Sequence, residues 1–193
     1  MTGQDRAAVL IPGSRPGSPL LAYASVAVRR RGGYEHRLEW TDRDQPDWPD
    51  WSSPAPVFSA AFHAWADAQI AAAIDATAAA TGVEKPVLIG KSLGTLAASL
   101  AADRGLAAVW FTPLLTDEPT VLALRRTSAP CLLIGGTADP WWDGSAARSA
   151  RTQLIEVEGA DHGMFVPGEL SASAAVLSQV MTAVEQFLDQ LWP

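Results

Sequence analysis

The chain has 193 residues, a length that suits one domain with a single core. Its 48% hydrophobic and 18% charged residues describe an ordinary globular composition and exclude a disordered chain. A net charge of −7 disfavours nucleic acid and anionic membrane surfaces as partners and leaves small molecules as the expected ones.

Met1–Asp5 carries no basic stretch leading into an apolar one, so no secretory signal is expected. No apolar run reaches the roughly 18 residues that a bilayer requires. The single cysteine, Cys131, allows no internal disulfide and points to the cytoplasm. Lysine occurs only as Lys85 and Lys91, and alanine is abundant, a balance typical of a GC-rich bacterial coding sequence.

Short apolar runs alternate with helical patterns along the chain, as parallel βαβ units require. The first run, Ala7–Ile11, is apolar on both faces and reads as a strand buried between helix layers. Pro19–Arg30 is a helix. Tyr34–Trp40 alternates Tyr34, His36, Leu38 and Trp40 with Glu35, Arg37 and Glu39, which predicts an edge strand with one wetted face.

Thr41–Val57 is a proline-rich loop with Pro46, Pro49, Pro54 and Pro56 beside Trp48 and Trp51. Phe58, Phe62, Trp65, Ile70 and Ile74 then mark a helical stripe. Val87–Ile89 is a strand, and Ser92–Ala102, rich in small residues, is a helix packed closely on a sheet. Ala107–Phe111 and Cys131–Ile134 are strands. Between them lie a loop, Thr112–Glu118, and a short helix, Pro119–Thr127. Leu154–Val157 is the last strand, and Val176, Leu177, Val180, Val184, Phe187, Leu188 and Leu191 define the last helix.

The chemistry concentrates where strands end. Gly90-Lys91-Ser92-Leu93-Gly94 joins a strand to a helix and would hold Ser92 on a sharp, strained turn with its hydroxyl above the sheet. Bulk at Gly90 or Gly94 would clash in such a turn. A serine nucleophile needs a base, and three histidines are available. His36 sits within the edge strand, and His63 sits mid-helix with Asp67 one turn on, a solvated pair. His162, in Glu158-Gly159-Ala160-Asp161-His162-Gly163 after the last strand, is the expected base.

Asp139, in Gly135-Gly136-Thr137-Ala138-Asp139-Pro140, is the expected acid. Asp117 is its competitor. Asp161 would point away from the imidazole, and Asp143 starts a helix as a cap. The order Ser92, Asp139, His162 is that of α/β-hydrolases. The backbone amide of Leu93 and that of Ser14, with Gly13 as the alternative, are the expected oxyanion donors. Trp48, Trp51, Trp141 and Trp142 are candidate pocket walls by position, packing being the other reading. No metal-ligand spacing and no nucleotide-binding glycine motif is present, so no metal and no cofactor are expected. Cys131 lies in an apolar strand and reads as core.

On these residues the chain resembles the α/β-hydrolase superfamily over about residues 7–191. Gly90–Thr95 and Gly135–Pro140 are similar to the small, capless bacterial serine hydrolases with dienelactone-hydrolase-like relatives. The resemblance implies one α/β-hydrolase domain over residues 1–193 without a cap. It implies a three-layer, mainly parallel six-stranded sheet that lacks the first two strands of larger members, in the order 2-1-3-4-5-6. It also implies cofactor-free hydrolysis of small esters through an acyl-serine. The alternatives are a thioesterase or amidase with the same residues, or a binding protein on a hydrolase scaffold.

Overall fold

The computed structural model describes residues 5–15, 17–42, 45–53, 58–150 and 152–193. Of the proline-rich loop, Pro54, Pro56 and Val57 therefore lie outside the described residues, as does most of the N-terminal segment. Six strands are described: β1 (Ala7–Ile11), β2 (Tyr34–Arg37), β3 (Val87–Lys91), β4 (Ala108–Phe111), β5 (Cys131–Gly136) and β6 (Gln153–Val157). They form one sheet in the order β2-β1-β3-β4-β5-β6, every pairing parallel. The strand order is the expected one, and β2 lies at the edge.

Alternation sorts the strand side chains between two cores. Ala8, Leu10, Val87, Ile89, Val109, Phe111, Leu132 and Ile134 face α1 (Pro19–Arg30) and α6 (Leu170–Leu191). Val9, Ile11, Leu88, Trp110 and Leu133 face the other layer. That layer holds α2 (Ala60–Thr81), α3 (Ala98–Arg104), α4 (Glu118–Arg126) and α5 (Gly144–Ser149).

Local chemistry sets the helix limits. In α2 the Ser59 hydroxyl accepts from the Phe62 amide at 3.1 Å, which satisfies one of the orphan donors of the first turn. Gly82, at φ 78°, closes the last turn by donating its N–H to Ala78 O at 2.7 Å. Between them Phe62, Trp65, Ile70 and Ile74 are buried. Asp143 caps α5 through the amides of Ser145 and Ala146 at 2.8 and 3.0 Å, the role expected of it. No helix among the described residues is long and apolar enough to cross a membrane.

Three features differ from the sequence reading. The segment after Ser92 begins as a 3-10 helix over Ser92–Ala97 and becomes α-helical only at Ala98. The regular strand β2 ends at Arg37, although the Leu38 amide still bonds Leu10 O at 2.9 Å. On the charged face of Tyr34–Trp40, Arg37 and Glu39 are exposed as alternation implies, but Glu35 is covered. Glu35 accepts from Ser25 Oγ at 2.5 Å and from Arg29 at 2.9 Å, and Arg37 donates to both Glu35 and Ser25. Helix α1 thus takes Glu35 into a half-buried network that alternation alone could not foresee.

Candidate functional site

The site is built at the carboxyl ends of β3, β5 and β6. Strand β3 runs straight into Ser92, whose φ of 54° lies in the left-handed region that L-residues avoid. Packing enforces this turn. A Cβ on Gly90 would stand 2.6 Å from Gly94 O and 2.7 Å from the Trp110 ring, and one on Gly94 would stand 2.3 Å from Ile11 O. Neither contact is possible, so both positions demand glycine. Thr95 Oγ1 donates to Ser92 O at 2.7 Å and accepts from the Leu114 amide at 3.2 Å, which ties the turn to the loop after β4.

The loops after β5 and β6 are joined to one another. The amides of Thr137 and Ala138 donate to Val157 O and Ala160 O, each at 3.0 Å, and the Gly159 amide donates to Thr137 Oγ1 at 2.8 Å. A Cβ on Gly136 would lie 2.1 Å from Ala160 O. The second loop closes on itself around the Asp161 carboxylate, which accepts from the amides of Gly163 and Phe165 at 2.8 and 2.9 Å. Asp161 therefore shapes the turn that carries His162 and makes no bond to its ring, in keeping with the expectation.

These loops bring three side chains into one hydrogen-bonded line. Ser92 Oγ donates to His162 Nε2 at 2.8 Å, and His162 Nδ1 donates to Asp139 Oδ2 at 2.7 Å. This is the neutral tautomer that such partners select. The Asp139 side chain is fully buried, and its other oxygen accepts from the Trp141 amide at 3.0 Å. The Trp141 ring stands edge-on to the imidazole at a centroid distance of 4.3 Å and fixes its plane.

Asp117 has a different place. It caps α4 by accepting from Thr120 N at 3.0 Å and Thr120 Oγ1 at 2.7 Å, and its other oxygen lies 3.2 Å from His63 Nε2. The sequence reading of His63 and Asp67 as a solvated pair is corrected in part: the Asp67 charge does act on His63, but the pair is not solvated. His63 is half-buried and hydrogen-bonded across to α4, and Asp117 raises its pKa above the ordinary histidine value against the opposing effect of burial. His36 stays on the edge strand, opposite Val9. Cys131 is buried in β5, where burial pushes its thiol up to about 12, so it is core.

A cleft of about 460 Å³ opens over Ser92. Ser14, Arg15, Trp51, Lys91, Trp141 and Phe165 are among its borders. The expected oxyanion elements adjoin the serine. Leu93 follows it with a buried side chain, and Gly13 packs so closely that a Cβ there would be 3.3 Å from Ser92 Cβ. Of the four candidate tryptophans, Trp51 and Trp141 line this cleft, and Trp48 lines a neighbouring cavity of about 580 Å³ across the Gly13–Pro19 loop.

Trp142 does not line the cleft. It packs over Gly135 and donates from Nε1 to Glu156 Oε2 at 2.7 Å, since adjacent residues in this turn face opposite ways. Lys91 is the border residue the sequence reading passed over. It occupies the variable place of the elbow motif, and its position signalled this, because the residue before the nucleophile ends the strand at the cleft mouth.

Comparison with solved structures places this architecture. An α/β serine hydrolase homologue from Coxiella burnetii is 12% identical, with a TM-score of 0.69 over 95% of this chain and 85% of that one. An α/β serine hydrolase without a lid from Xanthomonas campestris is 16% identical, with a TM-score of 0.66 over 100% and 85% of the two chains. A dienelactone hydrolase from Anabaena variabilis is 20% identical, with a TM-score of 0.68 over 98% and 88%. The chain has the α/β-hydrolase fold. No family model matches it, and no curated protein matches it in sequence.

Proposed function

We propose that the protein is a serine hydrolase that cleaves small ester-like substrates through an acyl-serine intermediate. The observation that carries this reading is the line Ser92 Oγ, His162 and Asp139, with bonds of 2.8 and 2.7 Å, on a strained strand-to-helix turn at the floor of an open cleft. Ser92 Oγ attacks the ester carbonyl while His162 Nε2 takes its proton. Asp139 holds the tautomer and supports the imidazolium that forms. The amides of Leu93 and of Ser14, or of Gly13 in its place, receive the oxyanion. His162 then returns its proton to the leaving alcohol, and water, activated by the same imidazole, releases the acid from Ser92. No cofactor enters these steps.

The chain is read as one domain without a cap. Residues 112–130, between β4 and β5, hold only α4, too little chain for a separate core. A cleft shaped by short loops favours short acyl groups, because each buried CH₂ contributes only about 0.8 kcal/mol and only while it stays inside.

Labelling with a fluorophosphonate, followed by peptide mass spectrometry, tests the reading. Modification is expected at Ser92 and nowhere else, and Ser92→Ala should lose both the label and several orders of magnitude in kcat on p-nitrophenyl acetate. A folded Ser92→Ala protein that kept near-normal esterase activity would remove the serine from this role.

A further inference from the structure

One of the two lysines of this acidic chain stands immediately before Ser92. Lys91 ends β3 and borders the cleft, with its stem against the Gly13 backbone, where a Cβ on Gly13 would lie 3.5 Å from Lys91 Cδ. Its ammonium makes no hydrogen bond or ion pair among the described residues. Burial draws its pKa down to about 8, and the charges of Asp139 and Asp161, on the loops after β5 and β6, act in the opposite direction. His162 and Arg15, from the β6 and β1 loops, are the other titratable or charged groups at the cleft, and no carboxylate among the described residues borders it. A desolvated cation without a partner costs free energy in the empty protein. In a chain of net charge −7, a cleft that Lys91 and Arg15 border, with no carboxylate among its described lining residues, draws anions.

We propose that Lys91 and Arg15 form an anion subsite of the Ser92 cleft, and that the substrate is an ester that carries a carboxylate close to its scissile carbonyl. The substrate class rests on the hydrolase reading above; the subsite does not. A single partly buried ammonium suits a monoanion, whose binding supplies the partner that the fold withholds from Lys91.

The test compares p-nitrophenyl hemiglutarate with p-nitrophenyl valerate, acyl groups of equal length that differ in a carboxylate. The quantity read is the ratio of their kcat/KM values, in which the shared steps cancel. At pH 7 and low salt the ratio should exceed about 10, the worth of one charge-assisted hydrogen bond. It should fall as pH rises through about 8, where Lys91 loses its proton, and fall again with added salt. Lys91→Met should bring it near 1, Arg15→Ala should lower it in part, and Lys91→Arg should retain most of it.

A wild-type ratio at or below 1, or a ratio unchanged in Lys91→Met, overturns the proposal. Calorimetric titration of Ser92→Ala protein, with and without Lys91→Met, adds a readout independent of turnover. Monomethyl glutarate should bind only where Lys91 is present. Such binding in a protein that hydrolyses neither ester would uphold the subsite and defeat the hydrolase reading instead. Equal binding with and without Lys91 would overturn the subsite, and tighter binding of inorganic phosphate than of monomethyl glutarate would overturn the carboxylate assignment.

Discussion

Asp117 and Asp139 follow successive strands, both are buried, and each contacts a histidine. Their remaining bonds distinguish them. Asp139 spends one oxygen on a single backbone amide and offers the other to the imidazole that reaches Ser92. Asp117 spends one oxygen on the amide and hydroxyl of Thr120 and so closes the first turn of α4. Asparagine at the two positions should therefore fail in different assays. Asp139→Asn is expected to lower kcat by a factor on the order of 10⁴, as loss of the correct tautomer does in serine proteases, with little change in melting temperature.

Asp117→Asn should instead keep the cap, since asparagine accepts as aspartate does, and lower the melting temperature by about 2–8 °C through loss of the charged bond to His63, with activity retained below the transition. That loss should be larger at pH 6 than at pH 9. The raised pKa of His63 means that its charged bond to Asp117 stabilises the fold fully below the unfolded histidine value and is lost as pH rises through the folded one. A pair of variants that both lost activity and kept stability would contradict the division. The sequence singled out Asp139, which the fold places against His162, but it could not reveal the His63–Asp117 contact, whose partners lie 54 positions apart on elements that meet only in the folded chain.

The inner strands β1, β3, β4 and β5 were legible because burial on both faces leaves apolar runs, and β1 matches its expected limits, Ala7–Ile11. Helix α1 was legible to the residue, since Pro19 starts it and Arg31-Gly32 ends it. The 3-10 start after Ser92 was not, because periodicity does not separate 3-10 from α winding over a segment this short; there Gly94 packs so closely that a Cβ would lie 2.3 Å from Ile11 O. Gly94 and Gly82 should accordingly respond differently to alanine. Gly82 ends α2 with nothing within 4 Å of a new Cβ, so Gly82→Ala adds only left-handed strain, about 1 kcal/mol, and should leave ester hydrolysis intact. Gly94→Ala must push β1 away from the elbow, at an expected cost of about 1–3 kcal/mol. Its kcat should fall more than tenfold at temperatures where the protein is still folded, because Ser92 moves with the turn. Circular dichroism melting curves and p-nitrophenyl acetate turnover on the two variants decide this, and equal activity in both would show that the turn tolerates the shift.

Across the whole molecule Ser92, Asp139 and His162 come from the β3, β5 and β6 end of the sheet, while the loops after β1 and β2 furnish walls of the cleft and its neighbouring cavity. Those walls are joined by aromatic rings. Trp40 stacks on Trp65 at 5.3 Å, Trp65 meets Trp48 at 6.4 Å, Trp48 meets Trp51 at 6.3 Å, and Trp51 meets Trp141 at 5.5 Å before Trp141 reaches His162. Five of the eight tryptophans thus form one chain of near neighbours that ends on the imidazole. Excitation absorbed at the far end can pass from indole to indole and reach the last ring, beside His162. The protein is thereby its own optical probe. Trp141→Phe should change its total emission by much more than the share of a single tryptophan, because the ring that ends the chain is lost. A change no larger than one tryptophan's share would mean that the rings radiate independently.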